Sequence, residues 1–173
     1  FFQPATGMNP ETLALYKKNI LTITRQVHFS EKAPTLSIDV VLGLNGLPVA
    51  TAELKNPFTH QNVNHAKKQY REDRDPREPL FQFKKRALVH FAVDPDEVYM
   101  TTQLAGKSTF FLPFNKGRND GKGNPDNPTG FKTAYLWEEV WQRDSFLDIL
   151  ARFISLTVEE KIKNGKKVRK ETM

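Results

Sequence analysis

The chain has 173 residues, 26 Lys or Arg against 20 Asp or Glu, a net charge of +6 and no cysteine. Zero cysteines exclude disulfides and thiolate metal sites and fit a reducing interior, and no stretch approaches the roughly 18–20 unbroken apolar residues of a membrane span. Phe1-Phe2-Gln3-Pro4 lacks the basic start and apolar stretch of a secretory signal, and a first residue other than Met is expected of a chain whose natural start lies upstream.

At this length, with 38% hydrophobic residues including 13 Phe, the chain is expected to bury one core. The segment 8–19 reads as a short helix, with Asn9 as N-cap, Pro10 in the first turn and Leu13, Leu15 and Tyr16 for packing. Residues 20–29, ILTITRQVHF, alternate and are β-branched, which predicts a strand. Residues 36–55 form two strands around Asn45-Gly46, a strong hairpin signal. A polar helix follows over 61–73, with Val63, Ala66 and Tyr70 on one side. Strands are expected over 86–94 and 97–104, separated by Pro95-Asp96, and over 108–114. Residues 115–130 are dense in Asn, Gly and Pro and read as a loop. A long amphipathic helix is predicted over 135–156, with Val140, Leu147, Leu150 and Ile154 at helical steps. Helices before and after a mostly consecutive strand set predict an α/β layer domain.

The charge is uneven. KIKNGKKVRK, residues 161–170, holds six basic residues and no acid, and the remaining chain is balanced at 20 against 20. Such runs bind polyanions or serve as solvated tails. The expected organisation is therefore a folded domain over 1–160 and a basic linker over 161–173.

The stretch VATAELKNPF, residues 49–58, carries the most chemistry. Glu53 and Lys55 are two apart, so in an extended chain they project from one face. Asp39 lies in the preceding strand, and whether it joins them depends on the turn. A two-residue Asn45-Gly46 loop sets Asp39 opposite Ala52 and sends Glu53 to the other face. A three-residue loop, Leu44-Asn45-Gly46, sets Asp39 opposite Thr51 and brings Asp39, Thr51, Glu53 and Lys55 together. The sequence permits both, and Pro48 could add a bulge; the three-residue turn is the expectation adopted. Two converging carboxylates make a hard-oxygen site suited to Mg²⁺, with the Leu54 carbonyl and waters completing the shell. A lysine beside it can orient an attacking water and stabilise a transition-state phosphate, which is nuclease chemistry. A same-face Glu–Lys pair can equally be a surface ion pair. On the following helix Gln69 is placed to support the site, and Lys67, Lys68, Arg71 and Arg74 to hold phosphates.

Asp39…Glu53-x-Lys55 followed by a helix bearing Gln69 resembles the PD-(D/E)xK nuclease core. The wider text, including FFQPATGMNP, GLPVATAELKNP, HAKKQYREDRDPRE, LVHFAVDPDEVYMTT and YLWEEVWQRDSFLDILARFI, resembles the N-terminal nuclease domain of the restriction (R) subunit of type I restriction–modification enzymes. The resemblance implies a mixed sheet flanked by helices, Mg²⁺ on Asp39 and Glu53, a catalytic Lys55, and a match of Gln69 to the accessory Q-x-x-x-Y motif. Asp73 occupies the tyrosine place, with Tyr70 adjacent to Gln69 instead. An acid from the first helix is common in such nucleases; Glu11 is the only one in 8–19 and is not assigned. The resemblance further implies a prokaryotic cytoplasmic setting and duplex DNA as substrate. It also implies modification (M) and specificity (S) subunits as partners, and motor domains in cis that use ATP, which this domain itself does not bind.

Two other readings stand beside it: a DNA-binding or inter-domain docking module with structural carboxylates, and a stand-alone repair nuclease of the same superfamily. LAGKST, residues 104–109, mimics a phosphate loop, but Thr101 stands where a glycine is needed and a strand is expected next. His28, His60, His65 and His90 are scattered, with His60 or His65 at most edging the cleft. Trp137 and Trp141 read as packing anchors.

Overall fold

The computed structural model describes residues 9–119, 121–163 and 166–173, with side chains for these outside 161–170. The first helix, α1 (Pro10–Lys17), begins as expected, with the Asn9 side chain accepting from the amides of Glu11 and Thr12. Met8, its expected first residue, lies outside the described residues. Tyr16 is buried and its hydroxyl donates to Asp144 Oδ1 at 2.6 Å. Leu15, expected to pack, is exposed instead, because it follows a different side of the same short helix.

Six strands form one mixed sheet in chain order: β1 (Leu21–His28), β2 (Ser37–Leu44), β3 (Leu47–Leu54), β4 (Val89–Val93), β5 (Val98–Thr101) and β6 (Leu112–Pro113). All neighbours are antiparallel except β3 and β4, which run parallel. A parallel pair needs a crossover, and α2 (Val63–Glu72) lies within it. Val63, Ala66 and Tyr70 turn inward from α2, as the sequence pattern predicts, and join Val41, Phe81, Ala92 and Phe111 on one face of the sheet. The other face is covered by Tyr16 together with Leu136, Phe146 and Leu147. The fold is thus an α/β arrangement of a six-stranded mixed sheet between helices.

The hairpin register differs from expectation in an instructive way. Leu44 pairs with Leu47, so the loop is the two-residue Asn45-Gly46. Both loop residues have positive φ, 52° and 83°, as a type I′ turn requires, and glycine takes the second place without a Cβ penalty. Asn45 is further tied by Ile20, whose amide donates to its Oδ1 at 2.8 Å. The three-residue loop is therefore corrected. Beyond the turn, Gly43 pairs with Pro48 but Leu42 pairs with Ala50, which leaves Val49 as an extra residue on β3. Pro48 has no N–H to give to a central ladder, so a bulge beside it is the arrangement proline tolerates there. The bulge moves the register by one, to Val40 against Ala52. One step further along, Asp39 comes across from Glu53.

Other expectations change at the edges. The strand over 108–114 contracts to β6, and residues 102–111 turn instead. The LAGKST segment holds Gly106 at φ 56°, with Thr109 Oγ1 donating to its carbonyl, and β6 rather than a helix follows. The long helix over 135–156 divides into a π-helical turn, Leu136–Val140, and α3 (Arg143–Arg152). The break falls at Gln142, whose backbone is extended. Trp141 packs edge-on against Phe91, centroids 5.7 Å apart, while Trp137 stays partly exposed beside Phe131. The basic run lies on a separate antiparallel hairpin of β7 (Thr157–Lys163) and β8 (Lys166–Thr172). That hairpin returns to the body through a Lys84–Glu171 ion pair and a bond from Thr102 Oγ1 to the Met173 carbonyl.

Candidate active site

The site forms where β3 runs out at the face covered by α2. Pro57 ends the extended run and opens a 3₁₀ turn, Pro57–Thr59, whose first amide is capped by Asn56 Oδ1. The chain then enters α2 through Asn62, which accepts from Asn64 N–H, while the Asn62 amide donates back to His65 Nδ1 at 3.1 Å. His65 is thus a helix-capping side chain. Asp94, at the end of β4, accepts from the Val63 amide at 2.7 Å and from the amides of Asp96 and Glu97. It pins the start of α2 over the sheet, and Gln69 and Tyr70 reach β3 from the other, C-terminal half of the helix.

The two acids have different environments. Asp39 is half-buried; its Oδ2 accepts from the Leu54 amide at 2.8 Å and its Oδ1 from Gln26 Nε2 at 3.1 Å. Gln26 has a left-handed backbone, φ 52°, in the middle of β1, a conformation that costs a non-glycine residue about 1 kcal/mol or more. Glu53 is fully buried. Its Oε1 takes Arg74 Nε at 2.7 Å and Arg74 Nη2 at 2.5 Å, and its Oε2 is buried with no hydrogen-bond partner. Burial pushes the Glu53 carboxyl up to about 8 against the pull of Arg74, and the charge of the neighbouring Asp39 pushes the same way.

Lys55 lies one residue past β3 and extends its ladder, its amide donating to the Val93 carbonyl at 2.8 Å. Its Nζ donates to Gln69 Oε1 at 2.5 Å. The fold therefore brings Asp39, Glu53, Lys55 and Gln69 into one locality, with the Leu54 main chain beside Asp39. Among the described residues no cluster of three or more His, Cys, Asp and Glu side chains stands together. A cation here would rest on two carboxylates and main-chain or water oxygens. The unpartnered Glu53 Oε2 is an observation that fits such an ion: a buried polar oxygen left without a partner is costly, and a cation there would favour the charged form that burial and Asp39 disfavour.

The four basic residues are not equivalent. Lys68 is exposed and within 3.8 Å of Glu72. Lys67 lies 3.8 Å above the Tyr99 ring, and its partial burial lowers its pKa. Arg71 donates to the Thr109 carbonyl at 3.1 Å and faces Phe111. Arg74, expected on a phosphate-holding surface, is 2% exposed and committed to Glu53, so it has no free face for DNA. Asp73, at the tyrosine place of the accessory motif, is the exposed C-cap of α2. Tyr70 is buried instead.

Under the acids lies a chain of neutral groups that sequence reasoning did not connect. Tyr70 Oη and His90 Nδ1 both lie 2.8 Å from Thr51 Oγ1, and all three residues are buried. Burial drives His90 down to about 3 from its ordinary 6.5, so it is neutral in the fold. Its contribution to stability is present above the unfolded pKa and is lost as pH falls toward the folded one. Between about pH 6.5 and 3 the unfolded chain binds one more proton, a slope of about 1.4 kcal/mol per pH unit. His90→Gln is expected to remove that slope, as read from urea denaturation midpoints at stepped pH. An unchanged slope would place the acid lability elsewhere.

The architecture is an α/β fold on a mixed sheet, with Asp39 on β2 across from Glu53 on β3 and Lys55 just past the end of β3. Residues 9–109 match the family model described as the Type I restriction enzyme R protein N terminus, and the chain belongs to that family. The matched span runs from the cap of α1 through β5 to Thr109 and includes every residue of the candidate site. The chain has no match among curated proteins or among solved structures. No helix among the described residues is long and apolar enough to cross a membrane.

Proposed function

We propose that the chain is a PD-(D/E)xK nuclease domain, residues 1–160, of a type I restriction enzyme R subunit, and that it hydrolyses phosphodiesters of duplex DNA. The observation that carries this reading is the register: the bulge at Val49 sets Asp39 across from Glu53, and Lys55 follows on the same face. Asp39, Glu53 and the Leu54 carbonyl are the residues that would hold Mg²⁺, and the bare Glu53 Oε2 supports that assignment. When bound, Mg²⁺ would neutralise charge developing on the phosphate and lower the pKa of a water molecule. Lys55 orients the attacking water and places positive charge against the non-bridging phosphate oxygens. Gln69 holds the lysine amine at the site by accepting one of its three N–H bonds, which leaves the others for water and phosphate. Lys68, with Lys67 and Arg71 behind it, lies on the helix that would face the DNA backbone.

In this reading the basic stretch at 161–173 leads toward motor domains, which spend ATP to translocate DNA, the M and S subunits are partners, and the recognition sequence is read by a separate subunit. The test is a crystal soaked in Mn²⁺. Anomalous density between Asp39 and Glu53 is expected; density elsewhere, or none, would sink the metal assignment. A second reading, a docking module whose carboxylates are structural, is favoured by one observation: Glu53 already has a cation, Arg74, against its Oε1.

A further inference from the structure

Arg74 lies just beyond the C-cap of α2, 21 residues from Glu53 in sequence. Every nitrogen of its guanidinium meets an acceptor inside the protein. Nε and Nη2 meet Glu53 Oε1, Nη2 also donates to the Ser37 carbonyl at 2.8 Å, and Nη1 to the Asp73 carbonyl at 3.3 Å. The Phe29 ring lies against it, 5.2 Å from centroid to Cζ. The start of β2, the end of β3 and the end of α2 are thereby joined through one planar group. A fork of fixed geometry can do this and a lysine ammonium cannot.

The consequence for Glu53 is asymmetry. An isolated buried ion pair would share both oxygens in a bidentate contact. Here one oxygen takes two N–H groups and the other takes none. We propose that Arg74 is the positioning residue of the acidic site: by saturating Oε1 it holds Glu53 in one orientation and leaves Oε2, beside Asp39, to a divalent cation. The inference rests on the nuclease reading above. It also accounts for the observation that favours the docking module, since the arginine and the cation take different oxygens. Arg74 touches neither DNA nor reacting atoms and acts through Glu53.

The experiment is Mn²⁺ titration calorimetry on this chain, with folding followed by thermal unfolding of each variant. Outer-shell partners of metal ligands typically carry 10- to 100-fold in affinity. Arg74→Gln is expected to weaken Mn²⁺ binding by that factor, and Arg74→Lys to restore it only in part. In a Glu53→Gln background Arg74→Gln is expected to change nothing further, because the residue acts only through that carboxylate. A folded Arg74→Gln that binds Mn²⁺ as wild type does would overturn the proposal. If Arg74→Gln does not fold, Arg74→Lys decides in the same way: wild-type affinity overturns it, and weakened affinity with a wild-type melting temperature supports it. Wild-type chain that takes up no Mn²⁺ removes the metal reading itself, and the positioning role falls with it.

Discussion

Lys55→Ala is expected to reduce Mg²⁺-dependent cleavage of plasmid DNA by at least a hundredfold while leaving the domain as stable as wild type. The two halves of this result have separate causes. Preorganised donors aimed at developing charge are worth roughly 10²–10³ in rate when removed singly, and the Lys55 amine is the cation on the Glu53 face that is not consumed by burial. Its side chain is only half-buried, and its bond is to Gln69, which is itself half-buried and can take water in its place. A lost hydrogen bond of that kind costs about 1 kcal/mol or less. Cleavage is measured with the assembled enzyme, because DNA delivery in the proposed function depends on its motor. Stability is measured on the domain by thermal melting. Folded Lys55→Ala protein that still cleaves at the wild-type rate would move the chemistry away from this strand and leave the docking reading in place.

Glu53→Ala is expected to behave differently, and the contrast separates chemistry from architecture. Removing the carboxylate strands the Arg74 guanidinium in the interior, where its side chain is 1% exposed. Breaking a buried pair from one side costs about 3–5 kcal/mol, enough to consume much of the stability of an ordinary domain. The reciprocal Arg74→Ala leaves a buried carboxylate and is expected to be similarly damaging. The double change Glu53→Leu with Arg74→Met removes both charges in favour of apolar side chains, and it is expected to recover most of the loss, since apolar replacement of a buried pair is often neutral. Urea denaturation of the double variant and of its two single changes, Glu53→Leu and Arg74→Met, checks this. Additive losses in the double variant would mean that the two side chains contribute independently. One practical consequence follows: inactivity of Glu53→Ala alone reports on folding as much as on catalysis, whereas Lys55→Ala reports on catalysis.

The asymmetry between those two residues was only half visible in the sequence. Glu53-x-Lys55 with a following glutamine-bearing helix marked the site, and the periodicity of Val63, Ala66 and Tyr70 fixed which side of that helix faces the sheet. Those signals survive because they are local: strand alternation and helical spacing depend on the residue's neighbours, whatever the fold. The turn shows where locality ends. Asn45-Gly46 correctly announces a two-residue hairpin, which by itself would have sent Glu53 to the wrong face. The extra residue at Val49 restores the shared face, and it falls beside Pro48, which has no N–H for the β2 ladder. The sequence showed that proline and allowed a bulge there, but did not decide between the bulge and the longer turn.

Arg74 was legible least of all. In EDRDPRE it reads as one charge among several on a solvated segment, and nothing in its spacing from Glu53 follows a helical or strand period. The same holds for His90, one of four scattered histidines until β4 pairs with β3 and sets it across from Thr51. By itself, then, the chain order determined the first helix, the strands up to β5, the buried side of α2 and the family, but not the length of the hairpin turn or the division of the last helix. Which charges are buried, which carboxylate oxygen is left bare and which histidine is neutral were settled only when residues dozens of positions apart met across a crossover. Desolvation and pairing are properties of such meetings, and no window along a chain contains them.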